Sequence, residues 1–309
     1  MVERIKLGVV GISDGNGHPY SFSSIINGYD PKAMKASDWP GIYAYLNQRK
    51  SNEFGFPHVQ VTHAWTQDAR QTKALAAATR IPHAVRSLDE LIDQTDGILL
   101  ARDDFERHFD MAQSMLKQGK FVFIDKPLSL DLQQLRFFRP YLEKGTLMSC
   151  SGLAYARELD KLRDEPDEWK NATLIRGAVI NGMEKYGIHI LDGVLAAVPF
   201  CAMRVLSLPA QHDAIAVESR TGALLQVDAL GPTEKTFQFD FWSKKRRFHA
   251  EVTDNFTMFR RMLAAFIGMM RTGSPPFPPE RVMEAMKILI AARLSKKQNR
   301  WVDMDEIKV

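Results

Sequence analysis

The side chains best suited to chemistry are Lys126, in Asp125-Lys126-Pro127, and the trio Tyr186, His189 and Asp192. The i, i+3 spacings from Tyr186 to His189 and from His189 to Asp192 place the trio along one face of a helix start. Apolar neighbours (Ile188, Ile190, Leu191, Val194, Leu195) turn that face toward a core or cleft. Asp192 is expected there to orient and charge-stabilise His189, the way a general acid/base histidine is held. The competing reading is a buried His–Asp hydrogen bond without chemistry. For Lys126 the competing reading is a solvated lysine at a strand end.

The elements that must carry these residues can be read in turn. Phe121-Val-Phe-Ile124 is a short apolar run of the kind a parallel sheet buries on both faces. Pro127 lacks the N–H a ladder needs, so the strand stops and delivers Lys126 at its carboxyl end, where open α/β sheets bind ligands. Residues 4–12 read as a first strand, followed by the turn Ser13-Asp14-Gly15-Asn16-Gly17-His18-Pro19 and a helix over 20–29. Strand, Gly-rich turn and helix together form a cradle for a pyrophosphate. Against G-x-G-x-x-G, Gly11 is the first glycine, while Ser13 and Asn16 stand at the second and third positions; Gly15 and Gly17 suit a shifted loop.

A second strand over 58–66 ends at Thr66-Gln67-Asp68, with Arg70 close by. Thr66 or Gln67 can hydrogen-bond a ribose and Arg70 can meet a 2′-phosphate, so the choice between NAD and NADP stays open. Ser87 and Glu90 have capping-box spacing. A strand over 96–101 runs into Arg102-Asp103-Asp104 and a helix over 105–118, with His108 in its first turn as either a capping or surface histidine or a ligand contact. This alternation of strands and helices demands a parallel sheet.

Residues 30–57 form an insertion, expected as a short helix and a surface loop. After Pro127 come a helix over 130–143, a strand over 147–152, and a linker helix over 153–157 that carries Tyr155 and Arg157 toward a cleft. A strand over 170–181 precedes the histidine cluster. From 203 to 253 the pattern predicts an antiparallel sheet with one packed face. Helices over 255–271 and 281–294 and a tail over 301–309 close the chain. The expected division is a dinucleotide-binding Rossmann domain over 1–127 and a substrate-binding α/β domain over 128–309. The strand at 147–152 and the closing tail are candidates to join the first domain.

The 309 residues suffice for two domains, and a net charge of +4 is too small to imply a nucleic-acid partner. Cys150 and Cys201 offer neither a disulfide framework nor metal-ligand spacing. No apolar run has membrane-spanning length and the N-terminus lacks a signal-peptide pattern, so the cytoplasm is the expected compartment.

The chain resembles the glucose–fructose oxidoreductase, inositol dehydrogenase and rhizopine catabolism (Gfo/Idh/MocA) family. The resemblance rests on Gly8-Val-Val-Gly11, on His108 through Gly119-Lys120 to Asp125-Lys126-Pro127, on Tyr186-Gly-Ile-His189 with Asp192, and on the Pro-Pro-Glu280-Arg-Val-Met-Glu284 segment. It implies a doubly wound Rossmann domain, a second domain with a largely antiparallel open sheet, and a homodimer or homotetramer through that sheet. It further implies reversible hydride transfer between NAD or NADP and a carbinol of a sugar, nucleotide-sugar or cyclitol. By analogy Lys126 contacts the nicotinamide ribose and the reacting hydroxyl. His189 is then the acid/base, with Tyr186 or Lys185 assisting. Gly11, Ile12, Ser13, Gly15, Asn16, Thr66, Arg102, His108 and Asp125 would hold the cofactor, and Tyr155, Arg157, Asn181 and Asp192 the substrate. Three departures stand out: Asp-Lys-Pro replaces Glu-Lys-Pro, the cofactor loop is altered, and Lys185 stands where many members carry an acid. An NAD-dependent glycoside hydrolase of the same fold and a non-catalytic NAD(P)-binding sensor or co-repressor are the alternative functions.

Overall fold

The computed structural model describes residues 4–309. The chain forms two compact units. One comprises the chain through Asp125 with Tyr141–Ser149 and Phe259–Pro276; the other comprises Lys126–Pro140, Cys150–Met258 and Phe277–Val309.

In chain order the first half contains β1 (Ile5–Val10), α1 (His18–Asn27), α2 (Pro31–Lys35), α3 (Pro40–Asn47), β2 (Val59–Trp65), α4 (Ala69–Ala78), β3 (His83–Ala84), α5 (Leu88–Asp93), β4 (Gly97–Leu100), α6 (His108–Lys117), β5 (Phe121–Ile124), α7 (Leu132–Lys144) and β6 (Leu147–Ser149). The six strands form one parallel sheet in the order β3-β2-β1-β4-β5-β6. This is the doubly wound order, with its topological switch point beside β1. All four residues of β4 and the last three of β5 are buried, as short apolar strands covered on both faces must be. Phe123 of β5 packs edge-on to Phe22 of α1 (5.8 Å) and to Phe266 (6.0 Å), which joins the segment Phe259–Pro276 to this core.

The insertion holds more structure than the sequence suggests: two short helices and a 3₁₀ turn at Ser51–Glu53. Pro31 and Pro40 each stand in a first helical turn, where a missing N–H costs nothing, and Asp30 caps α2 by accepting Ala33 N–H at 2.8 Å. Ser87 caps α5 as expected, but Glu90 reaches back to Arg86 N–H instead of the cap residue.

The second half contains α8 (Asp160–Asp164), α9 (Pro166–Trp169), β7 (Ala172–Val179), α10 (Ile188–Ala197), β8 (Ala202–Leu208), β9 (Asp213–Ser219), β10 (Leu224–Ala229), β11 (Phe237–Ser243), β12 (Arg247–Glu251), α11 (Asn255–Thr272), α12 (Pro279–Gln298) and β13 (Val302–Asp303). Its strands make a sheet in the order β12-β11-β7-β10-β9-β8-β13. The sheet is mixed, because β7 and β10 run parallel while the other pairs are antiparallel. The chain leaves β7 through α10 and returns two strands later, so the pair cannot be a hairpin. The tail lies on this second sheet, Val302 pairing with Val205, and not on the first. The expected linker helix is a pair of 3₁₀ turns, Gly152–Tyr155 and Arg157–Leu159.

α10 reaches the sheet closely because both surfaces carry glycine. A Cβ on Gly177 of β7 would overlap Ile190, and one on Gly193 would lie 2.6 Å from Phe239 Cζ. Among the described residues no helix is long and apolar enough to cross a membrane.

Candidate active site

In the first unit the turn after β1 is held by side chains where the dinucleotide fingerprint has glycines. Ser13 donates its hydroxyl to Asp103 Oδ1 at 2.7 Å and accepts Asp103 N–H at 3.1 Å. Asn16 donates to Asp125 Oδ2 at 3.0 Å, and both are buried. Gln67, from the tip of β2, accepts Ile12 N–H at 3.2 Å and donates to Ile12 O at 2.6 Å. Arg102 forks onto both oxygens of Asp104 (2.9 and 2.6 Å) and donates to Gln67 at 2.8 Å. Gly15 sits at the tip with φ +72°, and nothing lies within 4 Å of the place a Cβ would occupy.

Two expected cofactor contacts are turned inward. Thr66 is buried and donates to Asp68 O at 2.7 Å, so its hydroxyl serves the start of α4, where Asp68 accepts Arg70 N–H. His108 has no exposed surface and is neither a cap nor a surface residue. Its Nε2 lies 2.9 Å from Arg102 O, underneath the charged loop.

In the second unit a π turn over Met183–Gly187 leads into α10, so the trio does not start on a regular helix. Lys126, 3% exposed, donates to Lys185 O at 3.3 Å, and its Nζ lies 5.2 Å from the centre of the Tyr186 ring. The Tyr186 and His189 rings are 5.4 Å apart, tilted by 60°. Phe237 meets the imidazole edge-on at 5.4 Å.

The link between His189 and Asp192 is Ser151, a residue the sequence does not flag. Its hydroxyl lies 2.6 Å from His189 Nδ1 and accepts Leu153 N–H at 3.1 Å; its backbone N–H donates to Asp192 Oδ2 at 2.5 Å. His189 and Asp192 thus share Ser151, the imidazole through its hydroxyl and the carboxyl through its backbone N–H. Burial pushes the Asp192 carboxyl up to about 6, with Arg281 and the Ser151 N–H opposing the rise. The Tyr155 hydroxyl is raised too, chiefly by burial and next by Cys150, while a hydrogen bond from Arg281 pulls the other way. Arg281, from α12, thus bonds Tyr155 and acts on Asp192 through its charge.

Two expected substrate residues have partners of their own. The Arg157 guanidinium pairs with Asp254 at 3.3 Å. Asn181, in the left-handed region at φ +58°, bridges Gly231 by two backbone hydrogen bonds and lines a cavity of about 790 Å³. Gly182, His212, Asp213, Lys296 and Asn299 also form its walls, whereas Lys126, Tyr186 and His189 do not.

Residues 42–144 match the model of GFO_IDH_MocA, an oxidoreductase family with an NAD-binding Rossmann fold. That third of the chain is similar to the NAD-binding domain of the Gfo/Idh/MocA family. The matched stretch begins after Ser13 and Asn16, the positions where the Gfo/Idh/MocA glycines are replaced. No curated protein matches the sequence. Scyllo-inositol dehydrogenase from Lactobacillus casei, solved with NAD(H) and scyllo-inositol, superposes with a TM-score of 0.74 at 14% identity, over 98% of this chain and 100% of that one. Myo-inositol 2-dehydrogenase from Lactobacillus plantarum gives 0.75 at 12% identity, over 97% and 99%. Myo-inositol dehydrogenase from Corynebacterium glutamicum gives 0.72 at 15%, over 97% and 98%. At such identities the likeness is one of fold.

The residues of the first unit fit a nicotinamide dinucleotide. The turn after β1 stands at the switch point, α1 is long enough to present an N-terminal end, and the open side of Gly15 leaves room for a pyrophosphate against the backbone.

Proposed function

We propose that this protein is an NAD(P)-dependent dehydrogenase acting on a carbinol of a sugar, nucleotide-sugar or cyclitol. The observation that carries the reading is the shared contact of Lys126 and His189 with Tyr186. It brings a cation and a proton carrier onto one aromatic ring, the pairing that alcohol oxidation needs. The inositol dehydrogenases among the structural neighbours support the substrate class.

Bound NAD(P) supplies the hydride acceptor. Lys126, buried beside the Tyr186 ring, stabilises the negative charge that develops on the substrate oxygen. His189 exchanges the hydroxyl proton through Nε2 when Ser151 holds Nδ1, and Tyr186 packs against both groups. The Ser151 N–H holds Asp192, and Tyr155 contributes a hydroxyl donor to the polyol. A homodimer or homotetramer through the second sheet extends the proposal. Light scattering on the purified protein tests that part, and a monomer contradicts it.

The direct test is a screen of sugars, nucleotide-sugars and inositols with NAD and NADP, read at the reduced-nicotinamide absorbance band. Net reduction of cofactor by at least one polyol is expected. Glycoside cleavage without net reduction, or cofactor binding without reduction by any polyol, contradicts the reading.

A further inference from the structure

At the tip of β2 a threonine, Thr66, stands where the dinucleotide fold carries an acid when it selects NAD. That acid takes the ribose 2′-hydroxyl, whereas an arginine near the same tip takes the 2′-phosphate of NADP. The tip is built against the cofactor turn. Trp65, the last residue of β2, pairs with Val10 of β1, and Gln67 clasps the Ile12 backbone through both its N–H and its carbonyl. Gln67 Oε1 also accepts from Arg102 Nη1. Both ends of the carboxamide are therefore committed to holding the turn.

Thr66 is turned the other way. Its N–H donates to Thr72 Oγ1 at 3.0 Å, and the two threonine hydroxyls lie 2.9 Å apart. Both residues are buried, and the Thr66 hydroxyl donates to Asp68 O. Asp68, the carboxylate nearest in sequence, caps α4: its Oδ1 accepts Arg70 N–H at 2.7 Å and Gln71 N–H at 3.4 Å. Its charge is thus set against the positive end of the helix. Arg102 is closed onto Asp104 and Gln67. What remains at the surface is cationic. Arg70 and Lys73 are exposed and stand three positions apart, so they share one face of α4. Solvated cations on a helix are ordinary; these two stand beside a ribose position that has lost its acid.

We propose that this protein takes NADP in preference to NAD, with Arg70 pairing with the 2′-phosphate and Lys73 adding to the positive charge there. The proposal rests on the dehydrogenase reading above and names which of its two cofactors the chain selects. A guanidinium can fork onto two phosphate oxygens, a contact that a ribose hydroxyl cannot match. Selection comes equally from the threonine. A carboxylate at its place accepts from a 2′-hydroxyl and repels a 2′-phosphate, and the inward hydroxyl of Thr66 does neither.

The test is nucleotide affinity, read without turnover from the fluorescence of bound NADPH and NADH. The wild-type Kd for NADPH is expected at least about tenfold below that for NADH. Adenosine 2′,5′-bisphosphate should displace NADPH at concentrations where adenosine 5′-monophosphate does not. Arg70→Ala is expected to raise the NADPH Kd by about tenfold or more, with the NADH Kd changed by less than about threefold. Arg70 is exposed, so the thermal midpoint of this variant should match wild type. A smaller wild-type ratio, or an Arg70→Ala variant that keeps the wild-type ratio, overturns the proposal and leaves the dehydrogenase reading standing. Binding of neither nucleotide overturns both.

Discussion

Lys126 and His189 both lie against the ring of Tyr186, the ammonium nitrogen 5.2 Å and the imidazole 5.4 Å from its centre. Sixty-odd residues of chain separate the two groups, and the π turn at Met183–Gly187 closes the gap, since Lys126 donates to the Lys185 carbonyl within it. The position where the resembled family carries an acid, Lys185, therefore contributes a backbone acceptor to the cluster.

Removing the Ser151 hydroxyl tests the link to His189. Ser151→Ala keeps the backbone N–H on Asp192 but leaves Leu153 N–H and His189 Nδ1 without their buried partner. A loss of about 1–3 kcal/mol in denaturant unfolding is expected, the cost of stranding buried polar groups. A kcat loss of about tenfold or more should accompany it, as for a misoriented acid/base group. Unchanged turnover would show that His189 needs no orientation from Ser151.

Asp192 gives the fold a pH signature. Its carboxyl titrates near 6 in the folded protein against an ordinary value of 3.8, because burial penalises the charge. The folded state thus binds the proton more tightly than the unfolded chain, and stability falls as pH rises through the interval between the two values. The penalty is absent below the lower value, complete above about 6, and at most about 3 kcal/mol. Asp192→Asn can still accept the Ser151 N–H and escapes the penalty. Its stability relative to wild type should therefore climb from pH 4 to pH 6 and then level off, as read by urea unfolding across that range. A difference independent of pH contradicts the assignment.

Gly177→Ala asks whether α10 must sit flush on the sheet. The added methyl overlaps Ile190 and forces the helix that carries His189 and Asp192 away from β7. Overpacking of this kind costs about 1–3 kcal/mol. A drop in thermal midpoint is expected together with a kcat loss larger than that of a comparable substitution on the exposed face of the sheet. A stable, fully active variant would mean that α10 can shift without consequence.

How far these features were legible in the sequence depends on their range. The βαβ alternation, the buried runs at β4 and β5, the stop at Pro127 and the helical spacing of His189 and Asp192 are local patterns, and each is found in the structure. What escaped depends on contacts across the chain. Asn16 meets Asp125 over 109 positions, Ser13 meets Asp103 over 90, and Ser151 meets His189 over 38. Serines and asparagines at turns are also the residues most often explained by the turn itself, which hides such partners. The prolines that start α2 and α3 suit a first helical turn as well as a loop, so they do not by themselves mark the insertion's second helix. The Arg157–Asp254 pair joins residues almost a hundred positions apart and is hidden in the same way.

The account turns on the buried ammonium of Lys126 acting on the reacting oxygen, so Lys126→Ala is the most direct measurement, made as kcat on the identified polyol alongside cofactor Kd. A fall in kcat of at least about a hundredfold is predicted, with Kd changed by no more than a few-fold. Turnover close to wild type with the lysine removed would contradict the mechanism.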